Sequence, residues 1–178
     1  ILLKGKHNYC NIMAAITISR LFGIKNNIIK ETLKNFSPLP HRLELVGKVN
    51  KSLAYNDSKA TNIKSMLAAL DSFEEDIIII IGGADKGTSD FFNALNNYKE
   101  KIKFASCYGE SGKAIHHQIK NIVQSRYNYI FSEAVFVAIN NIKAEEIILL
   151  SPGCTSFDQF ENYKERGNKF KKIIIGQT

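Results

Sequence analysis

A chain of 178 residues can bury a full core as one domain, or as one domain plus a fragment of another. With 44% hydrophobic and 23% charged residues it reads as an ordinary soluble globular protein, and its apolar run at residues 77–81 is far too short to span a bilayer. The net charge of +7 favours anionic partners (a nucleotide, a nucleic acid, an anionic membrane surface), but the lysines are scattered along faces expected to be solvated, so the excess alone selects none of them.

Cys10, Cys107 and Cys154 are far apart and form no C-x-x-C pair, which suggests neither a disulfide framework nor a zinc site and fits a reducing cytoplasm. The opening ILLKGKHN lacks the apolar stretch of a secretory signal, and without an initial Met the chain reads as an excised fragment.

Taken in order, residues 11–22 predict a helix with an apolar stripe at Ile12, Ala15, Ile16, Ser19 and Leu21–Phe22, ended by Gly23. A second helix is expected over 26–35. The SPLP that follows is extended and helix-incompatible, which suits an interdomain linker. Two helices make a poor core, so residues 1–39 read as the tail of another domain plus a linker, and 40–178 as the main domain.

From there strands and helices alternate. Strands are expected at 43–49 and 52–56 around an Asn50–Lys51 hairpin, then a helix at 63–73 with Ile63, Met66, Leu67 and Leu70 at helical spacing. Residues 77–81 form a continuous β-branched run, the mark of a strand buried on both faces. Further strands are expected at 103–108, 127–131 and 146–150, and helices at 91–98, 111–121, 133–141 and 156–175. Such alternation implies an α/β fold: a Rossmann-like, mostly parallel sheet with helices on both faces, preceded by the short helical tail.

The loop between the second strand and its helix, within YNDSKATN, holds a carboxylate, an ammonium, hydroxyls and amides. Such loops lie at the carboxyl ends of strands, where ligands bind, and the next helix offers free N–H groups to an anion. The competing reading is a capping loop, with Ser58, Thr61 or Asn62 capping the helix and Asp57 bracing the turn. Arg42 has forked donors suited to phosphate or carboxylate, or to a surface ion pair with Glu44. Asn8 and Asn11, at the start of the first helix, can read a purine edge or simply cap. GGADKG lets the backbone approach a ligand while Lys86 projects a cation, although it equally suits a plain turn with a solvated lysine. No Walker loop occurs, since G-x-x-x-x-G-K-[ST] is absent. Ser156 lacks a G-x-S-x-G elbow, so it is not read as a nucleophile; His116 and His117 are read as surface residues.

Together, PHRLE (40–44), NDSKATN (56–62), GGADKG (82–87) and SPGCTSFDQF (151–160) resemble the Mur ligases, and within them the D-glutamate-adding branch of peptidoglycan synthesis. The four motifs occur in that family's order and span nearly the whole chain. The resemblance implies a cytoplasmic, ATP- and Mg2+-dependent ligase with D-glutamate, ATP and UDP-N-acetylmuramoyl-L-alanine as partners, serving cell-wall growth, cell shape and division. It further implies a monomer without nucleic-acid or membrane partners. By the same resemblance Asn8, Asn11, Arg42, Asp57 and Lys59 would contact ATP. Thr61, Lys86, Ser156, Phe157 and Tyr163 would bind D-glutamate; Phe157 and Tyr163 depart slightly from the Leu and Phe of some members. The magnesium ligands, the Walker loop and the UDP-binding domain are expected elsewhere in a longer protein, and the fragment alone is expected to be inactive. Two alternatives stay open, a folylpolyglutamate synthetase-like ligase and a basic nucleotide- or nucleic-acid-binding module.

Overall fold

The structure is a computed structural model that describes residues 6–36, 39–85 and 89–177. Two helices come first, α1 (Lys6–Leu21) and α2 (Asn26–Asn35), separated by Gly23 in the left-handed region. Of the expected stripe, Ile12 is buried and Ile16 and Ser19 are half-buried; Leu21 and Phe22 stay exposed, and α2 buries no residue. The pair therefore contributes little core of its own.

The α/β body follows as β1 (Glu44–Val49), β2 (Ser52–Asn56), α3 (Ile63–Leu70), β3 (Ile77–Gly82), α4 (Phe91–Asn96), β4 (Ile102–Tyr108), α5 (Gly109–Ile119), β5 (Ser125–Asn128), α6 (Phe131–Asn141), β6 (Ile147–Gly153) and α7 (Tyr163–Ile175). The strands form one sheet in the order β1-β2-β6-β3-β4-β5, antiparallel at β1–β2 and parallel elsewhere. Asn50 and Lys51 both have positive φ, the backbone of a tight two-residue hairpin whose twist matches its strands. The hairpin returns β1 so that Glu44 lies opposite Asn56. His41–Leu43 thus reaches the same sheet edge as the loop after β2.

Strand alternation builds two cores. Ile77, Ile79 and Ile81 point to one face, with Met66 and Leu70 of α3, Phe91 and Leu95 of α4, and Ile115 and Ile119 of α5. Ile78 and Ile80 point to the other, with Ala134, Val135 and Ala138 of α6 and Phe170 and Ile174 of α7. Each fully buried isoleucine contributes roughly 1.5–3 kcal/mol of transfer free energy. A β-branched run with no polar interruption is what a central parallel strand covered on both faces requires.

The first helix begins at Lys6 rather than 11, and α3 ends at Leu70 rather than 73; three further shifts have a cause in the fold. The strand expected at 127–131 runs Ser125–Asn128, and Phe131 instead opens α6, its N–H donating to Gln159 Oε1 at 3.0 Å. The strand ending at 150 continues through Pro152 to Gly153, because β6 outruns β2 and its pairing with β3 is irregular between Ile80 and Gly82. The helix expected from 156 begins only at Tyr163, where Asn162 accepts the Lys164 and Glu165 N–H groups; residues 154–162 form a loop held to its neighbours by tertiary bonds.

Candidate functional site

The loop after β2 continues the ladder through Asp57, whose N–H donates to Leu150 O at 2.8 Å. Capping of α3 falls to Asn62, which accepts the Ser65 N–H; Ser58 and Thr61 do not serve as the cap. Asp57 braces this turn through its carbonyl, which accepts the Ala60 N–H at 2.9 Å, and not through its side chain: Oδ1 accepts from the Leu43 N–H at 3.3 Å and Oδ2 from Ser151 Oγ at 2.9 Å. Burial is the main influence on its carboxyl and pushes the pKa up to about 7, against the opposing pull of the Ser151 and Leu43 bonds and the Arg42 charge.

Arg42 is exposed and makes no ion pair with Glu44, which instead binds Lys171 Nζ at 3.0 Å and the His41 N–H at 2.9 Å. Burial would raise the Glu44 carboxyl, yet those two donors outweigh it and hold it below the usual range. His41 sits in the left-handed region with its ring against Asn56 Nδ2, at 3.0 Å. Burial lowers its pKa, so its 3.9 Å approach to Glu44 is not an ion pair near neutral pH. The His41 carbonyl accepts the Lys59 N–H, joining the segment before β1 to the loop after β2.

Between α1, the segment after α2 and this edge lies a cavity of about 560 Å3. Asn8, Asn11, Arg42, Asp57 and Lys59 all line it, so the five residues assigned to a nucleotide converge from three separate stretches of chain. Phe36, Leu39, Leu43 and Ala68 supply apolar wall, and Lys64 a further cation. A pocket with cations, amides, one carboxylate and apolar wall has the chemistry to take a nucleotide.

Of the second residue group, Thr61, Ser156 and Phe157 lie in the adjoining loops. The Ala60 carbonyl accepts the Gly153 N–H at 2.9 Å, and Ala84 and Thr155 exchange backbone bonds at 3.0 and 3.1 Å. The loops that follow β2, β6 and β3 are thereby laced side by side. Gly82 and Gly83 have φ of 129° and 126°, and a Cβ on either would collide with backbone, Tyr108 O for Gly82 and Thr155 O for Gly83. Only glycine permits that lacing.

Thr61 is half-buried and Ser156 almost wholly buried, its carbonyl accepting from Gln159 and Phe160 in a turn rather than at the start of a helix. Phe157 is 73% exposed. Tyr163 opens α7, with its ring edge-on to His41 at 5.9 Å and the Lys59 ammonium 5.7 Å from its centroid. None of these four lines the 560 Å3 cavity, and Lys86 lies outside the described residues. His116 is half-buried and shares a hydrogen bond with Ser125 Oγ at 2.9 Å, so of the two histidines only His117 is a plain surface residue.

Sequence reading missed Arg166. It is fully buried, and its guanidinium bonds Ser58 Oγ and O, Tyr108 Oη, and the carbonyls of Cys154 and Thr155, all at 2.8–3.1 Å. Its place between two lysine-rich helical turns resembles a solvated position; only the tertiary fold turns it inward. Among the described residues no group of three or more His, Cys, Asp or Glu converges to hold a metal ion, and no helix is long and apolar enough to cross a membrane.

Comparison with known proteins matches this arrangement to named relatives. UDP-N-acetylmuramoylalanine–D-glutamate ligases from Bdellovibrio bacteriovorus and Christiangramia forsetii are 39% and 41% identical over 97% of this chain. The chain spans about two-fifths of the length of these curated relatives. Among solved structures, UDP-N-acetylmuramate–alanine ligase from Thermotoga maritima superposes with a TM-score of 0.73 over 99% of this chain and 39% of its own, at 17% identity. The MurF ligase from Thermotoga maritima in complex with ADP gives 0.65 over 98% and 40%, at 13% identity. At such identities the likeness concerns the fold. The family model for the Mur ligase glutamate ligase domain matches residues 41–154, taking in β1 to β6 and every loop on the carboxyl edge as far as Cys154, and on that match the chain belongs to the Mur ligase family.

Proposed function

We propose that this chain is the C-terminal part of an ATP-dependent ligase that adds D-glutamate to UDP-N-acetylmuramoyl-L-alanine in peptidoglycan synthesis. The observation that carries the reading is the convergence of Asn8, Asn11, Arg42, Asp57 and Lys59 on one cavity, beside the laced loops bearing Thr61 and Ser156. The names of the relatives, at 39–41% identity, support the choice of amino acid.

In this reading the γ-phosphoryl group of ATP passes to the substrate carboxylate, giving an acyl phosphate and ADP. The D-glutamate amine attacks the acyl carbon, and inorganic phosphate leaves from the tetrahedral intermediate. Asn8 and Asn11 face the base, Asp57 the ribose hydroxyls, and Arg42 and Lys59 the phosphates. Thr61, Lys86, Ser156, Phe157 and Tyr163 surround D-glutamate, with Lys86 on the side-chain carboxylate. The contribution of this part is positioning and electrostatic stabilisation. Magnesium would neutralise phosphate charge when bound, and we assign its ligands to another part of the longer protein.

Residues 1–39 are assigned to the end of the ATP-binding domain plus linker, and 40–178 to the amino-acid-binding domain. We place the protein in the cytoplasm as a monomer, with no nucleic acid or membrane partner. A folylpolyglutamate synthetase has the weaker support: E. coli FolC in complex with ADP resembles this chain at 16% identity and a TM-score of 0.66, a likeness of fold. A stand-alone nucleic-acid module finds no support beyond the net charge. Supplying the full-length enzyme with ATP, UDP-N-acetylmuramoyl-L-alanine and each candidate amino acid decides the matter. ADP release dependent on D-glutamate is expected; release dependent on a folate and L-glutamate would overturn the assignment.

A further inference from the structure

Arg166 is the largest fully buried side chain of the described residues. Burying a guanidinium without a carboxylate is costly, and proteins ordinarily pair such a charge. Here the lysine and arginine ion pairs of the described residues are Lys103–Asp76 and Lys171–Glu44, and neither includes Arg166. Its partners are two hydroxyls and three carbonyls, all neutral. Asp158 acts on the same Tyr108 and Cys154 as Arg166, its Oδ2 accepting the Glu110 N–H at the start of α5, but it makes no ion pair with the guanidinium. The cation is solvated by the protein and remains unneutralised by contact.

Those partners have one property in common. Ser58 lies in the loop after β2, three residues before Thr61. Cys154 and Thr155 lie in the loop after β6, immediately before Ser156. A Cβ on Gly83, in the loop after β3 that leads to Lys86, would stand 3.2 Å from Arg166 Nη1. Tyr108 closes β4, and Arg166 itself rides on α7 three residues after Tyr163. One side chain thus hydrogen-bonds two of the loops that carry the proposed amino-acid site, from the buried side, and lies alongside Gly83 of the third.

Resting on the functional reading above, we propose that Arg166 is a positioning residue for the amino-acid substrate. It ties the loops after β2 and β6 into one frame beside Gly83 and leaves its positive charge behind the proposed amino-acid site, where it favours a dicarboxylate over a neutral side chain. A planar fork with five donors can span loops that an ammonium cannot. In a poorly solvated setting its charge is weakly screened, so it acts on a carboxylate it does not touch.

The test uses the full-length enzyme, with D-glutamate and ATP varied in turn and D-glutamine as a neutral competitor. Arg166→Met is expected to raise KM for D-glutamate at least tenfold, to keep KM for ATP within threefold, and to narrow the preference for D-glutamate over D-glutamine. Arg166→Lys keeps the charge but not the span, and should lower kcat while retaining most of that preference. A folded Arg166→Met enzyme with wild-type D-glutamate saturation overturns the proposal, as does a parallel rise in both KM values with the preference unchanged. Where Arg166→Met does not fold, Arg166→Lys decides: retained preference supports the proposal and lost preference overturns it. A wild-type enzyme indifferent to D-glutamate overturns the functional reading as well, so the two failures are told apart before any variant is made.

Discussion

Asp57 meets two opposed demands. Its carboxylate is buried in the folded domain, yet the proposed ribose contact needs it as an acceptor. If it holds the ribose, Asp57→Ala should cost about 1.5–3 kcal/mol, raising KM for ATP roughly tenfold to a hundredfold while KM for D-glutamate moves little. Unchanged ATP dependence with lost thermal stability would restrict Asp57 to its bonds with Leu43 and Ser151. The raised pKa has a definite sign. A folded value of about 7 against 3.8 favours the protonated form, so the Asp57 contribution to stability is full below about pH 4 and is lost as pH rises through 7. The ceiling is about 1.4 kcal/mol per unit. Asp57→Asn should erase this part of the pH dependence, and urea unfolding of both proteins between pH 4.5 and 8 measures it; parallel curves would mean that Asp57 does not titrate there. For Lys86, Lys86→Ala in the full-length enzyme should raise KM for D-glutamate strongly and spare ATP, with Lys86→Arg only a partial rescue. Wild-type D-glutamate saturation in Lys86→Ala would return Lys86 to a solvated turn lysine.

The elements differ in how local their causes are. Helix α3 begins where its own sequence says, because Asn62 caps it from the adjacent position. Helix α7 also carries its own cap in Asn162, but the preceding SFDQFE suits a helix about as well, and periodicity alone runs the helix back to 156. What stops it are bonds made across the fold: Gln159 donates to Tyr129 O and accepts from Phe131, while Asp158 serves α5. Helix α6 lacks a cap of its own and takes its starting point from the same glutamine. Asn162→Ala should cost about 1 kcal/mol in thermal unfolding, the usual value of a lost cap. Because Tyr163 and Arg166 ride on the first turn of α7, KM for D-glutamate should rise with it, and an unchanged KM would argue that this turn holds without its cap.

At the scale of the molecule, the sheet is a rigid platform with its chemistry along one edge. Truncating either face of the central strand should be felt in full, so Ile79→Ala and Ile80→Ala should each destabilise by about 2–5 kcal/mol although they face opposite layers. A loss below about 1 kcal/mol at either site would mean that its helices repack. The 178-residue chain by itself should hydrolyse no ATP, since it contains no phosphate-binding G-x-x-x-x-G-K-[ST] loop; turnover that survives rigorous repurification would contradict this.

The sequence by itself determined the order of elements, the mostly parallel sheet, the Asn50–Lys51 turn and the family motifs, because periodicity, β-branching and turn chemistry act over a few neighbouring residues. It also picked out, through a motif resemblance, five residues that the fold brings to one cavity. Only the tertiary structure decided that Leu21 and Phe22 stay exposed, that β6 continues through Pro152, and that α7 waits until Tyr163. It alone turned Arg166 inward. The partners of that arginine lie up to 108 positions away, and such bonds follow from which loops the sheet order places side by side.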